Sequence, residues 1–147
     1  MKGSGGYRIK ENLEDWIAAV ESCDPKRVVE LFSEDVVFLP TFSQDNRNGL
    51  QETEDYFRHF LGKRPKCTIV ESKVITLGAN SYLEAGKYDF EVDDGGDDRI
   101  TVHARFTFVW TPSFEGGVRE WKIVHFHSSE IPKEKPLACH FCEDGYA

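Results

Sequence analysis

No apolar run in the sequence approaches the roughly 20 consecutive residues that a membrane-spanning helix requires. The segment Met1 to Lys10 also lacks an apolar stretch between its basic residues and a cleavage site, so the chain reads as soluble and cytoplasmic. Basic residues are too few and too scattered for a phosphate-binding surface. Lys and Arg number 18 against 26 Asp and Glu, a formal net charge of −8, which argues against nucleic acid as a partner. Cysteine is sparse as well. Cys23 and Cys67 fall in apparent helix and strand contexts, so reduced thiols are expected rather than a disulfide framework. Cys139 and Cys142 flank His140 in a lone CxxC, short of the four ligands zinc takes, and neither a metal nor another cofactor is expected.

What the chain does carry is aromatic mass: eleven Phe and three Trp in 147 residues, enough for one ordered core but a short length for two domains. Residues 1–7, with their Gly/Ser stretch, read as a flexible lead-in, residues 8–132 as the domain, and 133–147 as a polar, irregular tail. Ile9, Leu13, Trp16, Ile17 and Val20 recur at three- and four-residue steps and predict a helix from about Arg8 to Ser22. Asp24 is a good helix cap and Pro25 a good first residue for a second helix running through Val28, Val29, Leu31 and Phe32. A short strand follows over Val36 to Leu39. A third helix puts Leu50, Thr53, Phe57, Phe60 and Leu61 on one face.

After Lys66 the period changes to two, broken at Gly78 to Asn80, Asp93 to Asp98 and Pro112 to Gly117, which predicts four long antiparallel strands. The expected fold class is therefore α+β: three helices, then a four-strand meander whose strongly curved, cone-shaped antiparallel sheet wraps the N-terminal helix. The acidic turn Asp93 to Asp98 lacks the 12-residue loop and closing Glu of a calcium site and reads as a charged hairpin. In the third strand Ile100 to Trp110 alternate as an apolar face, with His103 and Arg105 on the other side. By the same alternation the fourth strand sets Phe126 and Ser128 inward and Trp121, Ile123, His125 and His127 outward. Arg105, Trp121, Ile123, His125 and His127 are accordingly the interface candidates, with Arg105 expected opposite His125 or His127 and His103 near Asp89.

Phe38-Leu39-Pro40-Thr41, Tyr56-Phe57 with Phe60-Leu61, Gly86 to Phe90, Ala104 to Trp110 and Trp121 to Ser129 resemble, in order and spacing, the association (hub) domain of calcium/calmodulin-dependent protein kinase II and its free-standing bacterial and algal relatives. The resemblance runs from about Ile9 to Pro132. It implies the fold of nuclear transport factor 2 and the ketosteroid isomerases, and homo-oligomerisation of dimers into a ring. The expected partner is thus the chain itself, with a kinase domain possible in a parent chain. Kinase phosphate-loop and catalytic-loop motifs are absent from this sequence. The family's arginine-lined pocket corresponds here to Tyr88, Phe108 and Ser128, which together with Tyr56 are the pocket candidates. The alternative is a small-molecule binder or an isomerase- or cyclase-type enzyme, but no inward carboxylate is expected on the strands whose alternation is readable, so no catalytic residue is assigned.

Overall fold

A computed structural model describes residues 7–114 and 117–133; Cys139, His140 and Cys142 and the expected tail lie outside the described residues. Helix α1 (Ile9–Glu21) buries Trp16, Ala19 and Val20. It also buries Asn12, three residues after Ile9 and four before Trp16, whose amide donates to the Tyr82 hydroxyl at 2.8 Å, so a polar group beside the apolar stripe is satisfied inside. Helix α2 (Pro25–Val29) is capped by Asp24, whose carboxylate accepts the Lys26 N–H at 3.0 Å. It ends before Phe32, which the helical spacing had included; Phe32 instead opens strand β1 (Phe32–Leu39) beside Ile123. Strand pairing outweighs the weak helix preference of a β-branched and aromatic run.

Strand β2 (Arg47–Asn48) turns into helix α3 (Gly49–Phe60) through Gly49 at φ +84°, a left-handed conformation that a side chain would strain. A short 3₁₀ turn (Leu61–Lys63) then leads to β3 (Lys66–Leu77), β4 (Ser81–Asp93), β5 (Arg99–Ser113) and β6 (Glu120–Glu130). The six strands form one sheet in the order β2-β1-β6-β5-β4-β3. Pairs β3–β4, β4–β5 and β5–β6 are antiparallel, but β1 runs parallel to β6, with Phe38 beside Phe126. The sheet is thus mixed where an antiparallel one was expected. The long excursion through α3 and four strands between β1 and β6 is the kind of connection that parallel pairing needs.

Two bulges decide which residues face the core. On β6, Val109 pairs with His125 while Trp110 pairs with Ile123, leaving Val124 as an extra residue. Side-chain alternation reverses there, so Trp121 and Ile123 are buried at 8% and 0% exposure, as are Phe126 and Ser128 beyond the bulge. The outward placement expected for Trp121 and Ile123 is corrected by this single inserted residue. On β3, Ile69 pairs with Tyr88 and Glu71 with Lys87, so Val70 is extra and the strand folds over Gly86. A Cβ on Gly86 would sit 1.9 Å from the Glu71 carbonyl oxygen, so only glycine lets the edge strand close in. At the end of the β4–β5 hairpin, Asp93 accepts from Arg64 at 2.8 Å and from Arg99 at 2.9 Å. Those two hydrogen bonds, Arg64 first, hold its carboxyl down at about 2.

Replacing Gly86 with Ala should destabilise the fold by about 1–3 kcal/mol, because the obstruction is backbone and not a movable side chain. Urea unfolding of the two proteins measures this, and an unchanged midpoint would mean that β3 shifts aside freely.

Candidate functional site

The side chains inside the sheet form a closed seam. The Tyr88 hydroxyl donates to Ser128 Oγ at 2.6 Å, and Ser128 Oγ lies 2.5 Å from Thr41 Oγ1. Tyr56 accepts the Phe42 N–H at 3.4 Å. Burial raises the pKa of both phenols well above the ordinary tyrosine value, so each is a neutral hydrogen-bonding group. Tyr56, Tyr88 and Ser128 border a void of about 10 Å³ with Trp16, Phe38 and Phe126. That is the size of a single water at most. Phe108 stands outside this border, stacked on Phe126 with ring centroids 4.3 Å apart. The four pocket candidates therefore lie in one neighbourhood, but packing aromatic rings occupy the space a ligand would need. Cys67, at the edge of this core, has its thiol pushed up to about 12, chiefly by burial.

A larger cleft of about 300 Å³ opens outside Tyr56, lined by Phe42, Arg47, His59, Phe60 and Lys63. The Arg47 guanidinium lies 5.6 Å from the Tyr56 ring centroid and donates to Ser43 Oγ at 3.3 Å and to the Glu52 carbonyl at 3.4 Å. His59 Nδ1 lies 3.1 Å from the Asp55 carbonyl, one turn back on α3. None of Arg47, His59 and Lys63 is among the pocket candidates named from the sequence. His59 and Lys63 stand four residues apart across the end of α3, a spacing that helical periodicity could have paired, but Arg47 comes from β2 and no local spacing joins it to them.

Glu84 corrects a second expectation, that no carboxylate points inward. It shares the core-facing alternation of Tyr82 and Tyr88 on β4 and is 3% exposed. Ser72 Oγ donates to its Oε2 at 2.5 Å, while Oε1 is buried without a partner. Loss of hydration raises its pKa, against the smaller opposing effect of the Ser72 hydrogen bond. Counting Glu84 with Tyr82 and Tyr88 at two-residue steps would have found it. It is nevertheless absent from the Tyr88–Ser128 seam and the void beside it.

On the outer face, Arg105 is exposed between Lys87 of β4 and Ser129 of β6. His127 pairs with Thr107 and His125 with Val109, so Arg105 is a diagonal neighbour of His127 and does not stand opposite either histidine. His125 Nδ1 donates to the Val37 carbonyl at 2.9 Å, and His103 Nδ1 lies 2.7 Å from Asp89 Oδ1. Among the described residues no group of His, Cys, Asp and Glu is arranged to hold a metal ion, and no helix is long and apolar enough to cross a membrane.

A family model described as the calcium/calmodulin dependent protein kinase II association domain matches residues 7–132. A solved structure from Xanthomonas campestris, described as such an association domain, is similar at 32% identity with a TM-score of 0.79, covering 91% of this chain and 94% of that one. A nuclear transport factor 2-like superfamily protein from Salmonella enterica is similar at 19% identity and TM-score 0.71, covering 86% and 91%. A ketosteroid isomerase-like protein from Erwinia carotovora follows at 13% and 0.69, covering 85% and 95%. These last two likenesses concern the fold alone. Comparison with curated proteins gives no match.

Glu84 yields a pH-dependent prediction. Its pKa is higher in the folded than in the unfolded chain, so the stability it contributes is complete below the unfolded value and lost as pH rises through the folded one. Glu84→Gln removes that loss. The variant should gain on the parent by about 1–3 kcal/mol between pH 4 and pH 8 in urea unfolding; a constant difference would show that the carboxylate is solvated.

Proposed function

The chain belongs to the calcium/calmodulin dependent protein kinase II association domain family, and from that premise we propose that its role is to bind copies of itself. The observation that carries this reading is the extent of the family match, which spans residues 7–132 and so nearly all of the described fold. The closed interior supports it: with about 10 Å³ free beside Tyr88 and Ser128, the space inside the sheet has no room for a substrate. In this reading the sheet is a cone around α1, the domain dimerises in the cytoplasm, and dimers close into a ring. The reading holds equally for a free-standing protein and for the hub of a longer chain with a kinase domain.

The outer sheet face is the proposed dimer surface, centred on Arg105, His125 and His127. Trp121 and Ile123 no longer belong to it, since both are buried within the subunit. What remains is a mixed polar face with Val37 and Val109 beside the histidines, 41% exposed in the case of Val37. Such composition suits a subunit contact with a polar rim. A small-molecule-binding reading would rest instead on the cleft of Arg47, His59 and Lys63.

Light scattering at micromolar concentration should give a mass several times the 16.8 kDa of one chain. Arg105→Glu, which reverses charge at the centre of the face, should lower that mass. A parent protein that stays monomeric would remove the assembly reading.

A further inference from the structure

Strand β3 is the outermost strand at one end of the sheet, and the opposite end is the two-residue β2, so β3 presents the one long edge among the described strands. Twelve residues long, it contains no proline between Lys66 and Leu77. Long edges are normally blunted, because their unpaired N–H and C=O groups recruit another strand. Here Val70 (56%), Val74 (38%), Ile75 (58%) and Leu77 (41%) are exposed along it. Val74 and Ile75 point to opposite faces, so neither side of the edge is polar.

The order of residues along this edge indicates what covers it. Around Ser72 the sequence reads the same in both directions: Val70 matches Val74, Ile69 matches Ile75 and Thr68 matches Thr76. The exception is the innermost pair, Glu71 and Lys73, which carry opposite charges. In an antiparallel pairing of two identical strands, a two-fold axis through one residue places each position opposite its mirror position in the other copy. An axis through Ser72 would set Glu71 against the second copy's Lys73, twice, and Val70 against Val74, twice. Opposite charges and β-branched residues are favourable cross-strand pairs. Glu71 and Lys73 are both exposed, and both sit on the outer face, pairing within the chain with Lys87 and Ala85.

We infer that the free edge of β3 pairs antiparallel with the β3 edge of a second copy about a two-fold axis through Ser72. The paired segment is Val70 to Val74 of each copy. The bulge at Val70 bounds it, because Ile69 beyond the bulge turns to pack on the core. This contact lies at the sheet's edge and not on the Arg105 face, so it adds a second two-fold interface to the assembly. It rests on the self-association reading only in that the partner is the same chain.

Light scattering on the full chain, the single variants Glu71→Lys and Lys73→Glu, and the double variant tests it. Each single variant opposes like charges and should lower the mass from that of a ring to that of the dimer held by the Arg105 face; the double variant restores opposite charges and should restore the mass. Circular dichroism melting of all four, unchanged within a few degrees, shows that the loss is not unfolding. A parent of ring mass with unaltered single variants would overturn the edge pairing and leave the ring reading standing, with the edge open to some other partner. A parent dimer that the single variants split into monomers would support the edge pairing and sink the ring. A monomeric parent would overturn both.

Discussion

The fold turns on a row of stacked phenylalanines. Phe108 of β5 lies on Phe126 of β6 at 4.3 Å and 8° between planes, Phe126 on Phe38 of β1 at 5.0 Å and 3°, and Phe38 on Phe57 of α3 at 5.4 Å and 3°. Trp16 of α1 closes the row edge-on, 5.1 Å from Phe108 and 5.4 Å from Phe126. Each ring comes from a different element, so the row ties α1 and α3 to three strands. Such contacts add roughly 0.5–1.5 kcal/mol each beyond the area they bury. The parallel alignment of β1 with β6 is what sets Phe38 beside Phe126. The bulge at Val124 is what lets Phe126 and Ile123 both face inward. The row also fills the interior. The hydroxyls of Tyr88, Ser128 and Thr41 meet across what space is left.

Much of this was legible in the sequence because the signals were local. The spacing of Trp16 and Val20, the Asp24-Pro25 start and the alternation from Ile100 to Trp110 each reflect one element's own geometry. Two features were not legible, and a third was legible but missed. The bulge on β6 adds one residue without any glycine or proline to mark it, so parity carried Trp121 and Ile123 to the wrong face, while the hairpin register sets Arg105 opposite Ser129, two residues beyond His127. The parallel pairing of β1 depends on contacts 88 residues apart, as His125 with Val37 illustrates. Glu84 broke the expectation that acids face out; its neighbours Tyr82 and Tyr88 marked the inward face, but a carboxylate there is justified only by Ser72 on the next strand. At the candidate site the pocket residues were recognisable as a group, whereas their packing against one another is a property of the whole core.

The interior beside Tyr88 and Ser128 is filled. Inside, the buried phenols are neutral and paired, and the inward acid Glu84 is separate from them. Outside, the sheet offers a histidine- and arginine-bearing face and one long open edge, both suited to copies of the same chain. Aromatic packing leaves no ligand-sized space among Tyr88, Phe108 and Ser128. The most direct measurement is calorimetric titration with a short-chain carboxylate such as butyrate. No saturable binding is expected below about 1 mM, equivalent to roughly −4 kcal/mol; saturable binding at micromolar concentration, abolished by Ser128→Leu, would show that a ligand pocket exists there after all.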